Sequence, residues 1–538
     1  MNHLTRLRIV ISLVASVASL SLGAASPAAA KLLVGIVVDG LDGDCLDLLR
    51  QQLGRGGFRL LQERGVVIPE ADYGTYLDAA AATSTVVTGA APSVSGVGAA
   101  EIFDRNTLRC VPVYSDPAVI GNYTNAAYSP AALRVSTVAD EARIASGGTN
   151  VVYAVAPDPA GAIALAGHAA NAAIWIDAKT GNWASSTFYK DMPVTVATRN
   201  RLSPLSSRLD TISWTPILDP ADYPGLPDHL SRYPFRHVFP RARAERLDMF
   251  ANSPLVNTEV SAVATDLINN LKVGSHPGVT DVLNIGYTLE PYRYGKNPDN
   301  RPEQLDAYIR LDRDLEKLFA TIDRRVGLDS TVVVLASTPR RPRGRRDDDR
   351  WAIPYGEFST RKAASLLNIY LMAIYGNGDF VSAYHNGRFF LNHKLIKERS
   401  LDLRAVRAEA ADFLTRMTGV DRVYTIDDIL AGRAGEHPEA LRRNTVKESA
   451  GDLLVDITPG FEIVDDYNTL VAPGENLPGM VYRMAPATAP AYIMAPSLAP
   501  QTIGQPVDVR TIAPTVARIL RIRSPNGASV APLSLEKR

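Results

Sequence analysis

The chain has 538 residues, with 57 Lys and Arg against 57 Asp and Glu. That balance leaves no basic field for nucleic acid, and only two cysteines exclude a disulfide-rich scaffold. The length suits one large α/β domain with insertions, or two domains.

The N-terminus runs from Arg6 and Arg8 through an apolar stretch, Ile9 to about Leu22, to Ala28-Ala29-Ala30. Charged, then apolar, then small is the order of a secretory signal peptide, and the apolar part is short for a membrane span. The order predicts residues 1–30 as signal and a mature chain, 31–538, that is periplasmic or secreted, with no transmembrane segment. Losing Arg6 and Arg8 leaves 55 basic and 57 acidic residues. In an oxidising compartment Cys45 and Cys110 either pair with each other or persist as two buried thiols.

The first element after the signal is Leu32-Leu33-Val34-Gly35-Ile36-Val37-Val38-Asp39-Gly40. An unbroken aliphatic run rich in Val and Ile fits a strand buried on both faces of a parallel sheet. Asp39 then falls at the C-terminal edge, where ligands of open α/β sheets bind. A carboxylate there serves either as a hard ligand for a divalent metal or as the cap of the next helix. Short helices follow at Cys45 to Gln52 and Gly57 to Arg64, then a strand at Val66 to Ile68. Ala79 to Thr88, closed by Gly89, reads as a helix opening at the same edge as Asp39. Further helices are predicted at Val135–Ile144, Ser261–Val273, Glu303–Ile322, Ala405–Met417 and Ile512–Leu520. Strands are predicted at Val151–Val155, Val279–Ile285, Thr331–Leu335, Arg388–Leu391, Leu453–Ile457 and Ala491–Met494. Strands alternating with helices imply an α/β fold, a central mostly parallel sheet sandwiched by helices. The more polar residues at about 340–450 look like an inserted cap, and the Pro- and Ser-rich Leu202–Pro240 like a long surface loop.

Several segments together resemble the alkaline phosphatase superfamily, and within it the phosphate-irrepressible (PafA-like) alkaline phosphatases. They are Val34 to Asp39, Thr88-Gly89-Ala90-Ala91-Pro92, Ala166 to Trp175, Thr180-Gly181-Asn182-Trp183, Asp306 to Asp312, Ile353 to Phe358, Gly451 to Leu454, Ile512 to Thr515 and Ser524 to Gly527. The resemblance implies an alkaline-phosphatase-like fold with a cap, and ester hydrolysis by two zinc ions, a Thr or Ser nucleophile, and Lys, Arg and Asn holding the phosphate.

Carried over position by position, that machinery is mostly missing. The first zinc carboxylate falls on Asp39. The nucleophile falls on Ala79, which has no hydroxyl; Thr83, Ser84 and Thr85 lie one to two turns on. The loop that should hold an Asp and a His runs Tyr287 to Gly295 and offers only Glu290. Where the family has adjacent Asp and His, this chain has Ser337 and Thr338, and no His follows His437. The phosphate-holding Lys, Arg and Asn fall on Asp158, Ala160 and near Ala100. Of the remaining histidines His168 reads as scaffold, and the others lack metal-site spacing.

Asp42 and Asp44 invite a weak Mg²⁺ or Ca²⁺ site beside Asp39, but without a closing Glu Asp44 reads as a helix cap. The run from Arg340 to Arg350 is either a solvated loop or the source of a substitute charge. In the second case Arg340, Arg341 or Arg293 turns inward to pair with Asp39, since an unpaired buried carboxylate is costly. Three functions follow: a pseudo-phosphatase, expected to hold no cofactor and to bind an anionic small molecule or a periplasmic protein; an active metal-dependent phosphoesterase or sulfatase-like hydrolase relocated to Asp39, Glu290 and a hydroxyl of Thr83 to Thr85; or a structural component of a surface complex.

Overall fold

The computed structural model describes residues 30–189, 192–232, 234–295, 299–340, 355–464, 467 and 487–538. The signal-peptide segment, apart from Ala30, and Arg341 lie outside the described residues. Among those described, no helix is long and apolar enough to cross a membrane.

Leu32–Asp39 is the strand around which the fold is built. It pairs in parallel with Asp281–Thr288 on one side and Thr331–Ser337 on the other. Outward from Asp281–Thr288 come Val152–Val155, Ala172–Ile176, Trp183–Ser186 and Gly121–Asn122; outward from Thr331–Ser337 come Thr488–Met494, Val66–Asp72 and Gln501–Thr502. Thr488–Met494 and Trp183–Ser186 run antiparallel to their neighbours. The sheet is therefore mixed but mostly parallel at its centre.

Alternate residues of the first strand feed two separate cores. Leu32, Val34, Ile36 and Val38 pack with Val256 and Leu311 from helices Leu255–Asn270 and Arg301–Arg325. Leu33 and Val37 face helices Ala79–Thr88, Pro159–Ala166 and Ile512–Leu520 on the other side. Burial on both faces explains why the strand shows no alternation in sequence.

Three expectations change. Leu453–Ile457 does not join the central sheet. It pairs with Arg388–Leu391 and Val420–Thr425 in a four-stranded sheet completed by Val381–His385, and the chain regains the central sheet only at Thr488. Leu202–Pro240 is more than a surface loop: much of it is exposed, but it carries short helices and buries Trp214, Tyr223 and Phe239. It is tied down by Asp306, which accepts from Trp214 Nε1 (2.5 Å), Ile217 N (2.7 Å) and Tyr223 Oη (2.7 Å). Cys45 and Cys110 are not joined, and Cys110 is exposed, 3.3 Å from His385 Nδ1.

Candidate functional site

In-register pairing sets Asp39 beside Thr288, and Val38 beside Ser337. Three strand ends thus release their chains at one edge, and Val152–Val155 and Ala172–Ile176 end there too. Gly40 turns the chain away at φ 75°; a Cβ there would lie 3.1 Å from Glu290 Oε1, so the turn needs glycine. The result is a cavity of about 610 Å³, whose lining includes Asp39, Asp78, Ala79, Thr83, Ala100, Asp158, Ala160 and Glu290. Residues far apart in sequence are brought together where the resemblance places a catalytic site.

Two helix N-termini meet at this cavity, and each is capped by its own carboxylate. Asp78 Oδ1 accepts from Ala80 N and Ala100 N, both at 2.9 Å. Asp158 Oδ1 accepts from Gly161 N at 2.9 Å. Amides of the kind that would hold a bound oxyanion are therefore already taken. Ala79 opens the first helix with a methyl group. One turn deeper Thr83 faces the cavity, while Ser84 meets Tyr114 Oη at 3.2 Å and Thr85 donates to Ala81 O at 2.9 Å.

The strand end carrying Ser337 and Thr338 is knitted into the backbone. Ser337 Oγ donates to Leu41 O (2.9 Å) and Thr338 O (2.8 Å). Thr338 Oγ1 accepts from Gly40 N at 3.2 Å and donates to Asp39 Oδ1. Thr338 thus gives Asp39 a neutral hydroxyl partner, and Arg341 lies outside the described residues. Arg340 instead forms its ion pair with Asp42, and Arg293 with Asp248 at 2.5 Å. Asp42, not Asp44, caps helix Gly43–Leu48. His168 is held between Asp140 (3.2 Å) and Leu133 O (2.8 Å), and His237, His276 and His393 each meet a carboxylate of the scaffold. Among the described residues no three His, Cys, Asp or Glu side chains gather as a metal site.

Poor solvation within the cleft, then the charge of Asp78, raises the Asp158 carboxyl above the ordinary range, although the side chain is exposed to the cavity. Asp177 moves the other way: burial opposes ionisation, but hydrogen bonds from Thr124 (2.5 Å) and Thr180 (2.9 Å) outweigh it. Sequence reading missed Asp177, Asp248, Lys179, Tyr128 and Trp175 in the lining. Asp177 carries the signal that marked Asp39, an acid ending an apolar strand; Asp248 carries none.

The chain belongs to the type I phosphodiesterase / nucleotide pyrophosphatase family, whose pattern it matches over residues 33–476, and thus to the alkaline phosphatase superfamily. Among curated relatives, it is 28% identical over 535 residues to a calcium-transporting ATPase of Myroides odoratus and 25% identical over 527 residues to alkaline phosphatase PafA of Elizabethkingia meningoseptica, in each case covering 94% of both chains. The PafA crystal structure superposes with a TM-score of 0.81 at 23% identity, covering 94% of this chain and 98% of that one. Murine ectonucleotide pyrophosphatase / phosphodiesterase 5 matches at 0.50 and 12% identity, covering 94% and 97%.

Proposed function

We propose that this is an exported pseudo-phosphatase: the superfamily's cleft is kept for binding and its ester hydrolysis is lost. The observation that carries this reading is the floor of the 610 Å³ cavity, where Ala79, Asp158, Ala160 and Ala100 stand together. Nucleophile and phosphate-holding positions are changed at once, in one place. A lone change could be bypassed, whereas loss of the nucleophile and of both phosphate-holding cations, together with cap carboxylates bonded to Ala80 N and Gly161 N, removes the groups at these positions that would stabilise a phosphoryl transition state.

The donors also do not fit two zinc ions. Of the family's metal-ligand positions only Asp39 is kept, Glu290 is the sole carboxylate of the loop that should supply an Asp and a His, and Ser337 and Thr338 are hydroxyls spent on the backbone and on Asp39. The observation favouring residual hydrolysis is Thr83, which shares the cavity with Asp39 and Glu290. It stands a turn inside its helix, away from the N-terminal amides that would activate it.

The test is metal analysis of the purified mature protein together with hydrolysis of an aryl phosphate, a phosphodiester and an aryl sulfate. The expected result is no stoichiometric zinc and no turnover above background. Chelator-sensitive turnover would establish a relocated hydrolase instead.

A further inference from the structure

The charge of the cleft is inverted relative to a phosphate site. Its described lining carries Asp39, Asp78, Asp158, Asp177, Asp248 and Glu290 against a single cation, Lys179. Arg293 neutralises Asp248 and a hydroxyl meets Asp39. Among the described residues no Lys, Arg or His pairs with Asp78, Asp158, Asp177 or Glu290. A phosphate entering here would meet like charge and amides already bonded to the two caps.

A second, independent feature points to a ligand. Thr83 is only 5% exposed and lines the cavity, yet unlike Ser84, Thr85 and Thr88 it makes no side-chain hydrogen bond among the described residues. The side chain absent at Ala79, on the same helix face one turn earlier, leaves this hydroxyl open to the cleft. Buried polar groups of this kind ordinarily have partners. The same lining includes the apolar side chains of Trp175, Tyr128, Phe250 and Leu247, with the Tyr128 and Trp175 rings edge to face at 5.9 Å. An acidic floor, an open hydroxyl and an aromatic wall around 610 Å³ suit a small molecule with one charged end and one apolar end.

We infer that the cleft binds a small organic ammonium with an aryl or alkyl body, its NH₃⁺ held by Asp158 and Asp78 and donating to Thr83, its apolar part against Trp175 and Tyr128. This rests on the loss of hydrolysis proposed above, and it replaces the anionic ligand expected from the family by a cation.

Calorimetric titration of the full mature chain with 3-phenylpropylammonium, phenyl phosphate and inorganic phosphate tests it. The amine should bind once per chain and neither phosphate should bind. Asp158→Asn removes the charge and keeps a residue equally able to cap the helix, so its melting temperature reports whether it folds. It should weaken the amine by ~10-fold or more, the loss expected for one charge-assisted hydrogen bond. Failure of the amine to bind, equal affinity in the variant, or binding of phenyl phosphate in its place would each overturn the cation site. Turnover of phenyl phosphate would instead overturn the loss of hydrolysis, so the two failures are distinguishable.

Discussion

Asp158 lines the cleft and is exposed to it, whereas Asp452 is fully buried, and their surroundings push them in opposite directions. Asp158 is raised, by poor solvation within the cleft and then by Asp78. Asp452, fully buried, is held well below the ordinary carboxylate range: burial opposes ionisation, and the hydrogen bond from His393 and the charge of Arg105 outweigh it. His393 Nε2 and Arg407 Nη2 lie 2.7 Å from Oδ1, Arg105 Nη2 lies 2.8 Å from Oδ2, and Leu391 N donates at 2.7 Å. Arg105 belongs to the hairpin Glu101–Pro112 and the others to the 355–464 region, so Asp452 fastens the two. Depth alone does not decide what a carboxylate does; its partners do. A satisfied acid makes a joint, and acids left without cations make a place for one.

The largest expected effect breaks the joint. Asp452→Ala leaves Arg105, Arg407 and His393 facing one another and should cost about 3–5 kcal/mol in urea unfolding, the scale for removing one partner of a buried ionic network. Retention of wild-type stability would mean the network is decorative. In the cleft, Thr338→Val keeps the shape but strips the hydroxyl between Gly40 N and Asp39, and should cost about 1–3 kcal/mol; an unchanged transition would show that Asp39 does not depend on it.

The smallest effect has the opposite sign. A raised carboxyl binds its proton more tightly in the folded state, so stability falls as pH rises from the ordinary carboxylate range, near 3.9, through the raised folded value. Asp158→Asn should therefore raise the melting temperature at pH 7. The gain should shrink on acidification, where the wild-type carboxyl is neutral too. Asp452 works the other way: its contribution is present above the ordinary range and lost as pH falls through its low folded value. A variant at position 158 that melts lower at pH 7 would contradict the contrast between the two acids.

Much of the architecture was legible because local signals agreed with the global fold. Ala79–Thr88 and Ile512–Leu520 are bounded in the structure at the residues the sequence marks, the first by Asp78 and the αL Gly89. Local signals place Asp39 and the helix opening at Ala79 at one edge, whereas Asp158 and Glu290 join them only through the superfamily pattern, since spacing says nothing of which distant loops converge. What stayed hidden was partner choice. Arg340 lies close enough in sequence to the Ser337–Thr338 strand end to suggest a charge for Asp39, but Asp42, at the cap of the next helix, takes it. Likewise Leu453–Ile457 is as aliphatic as any central strand, and only pairing with Arg388–Leu391 assigns it to the second sheet. Trp214 and Tyr223 pin a Pro-rich stretch that composition alone marks as a loop.

The most direct test of the central claim is the rate of aryl phosphate hydrolysis in excess zinc, measured side by side for the protein and its Ala79→Thr variant. If metal donors and phosphate-holding cations are lost along with the nucleophile, as proposed, both should stay at the uncatalysed rate. Turnover by the wild type, or its appearance when the hydroxyl alone is restored, would show that the rest of the catalytic apparatus persists and would contradict the loss of this site.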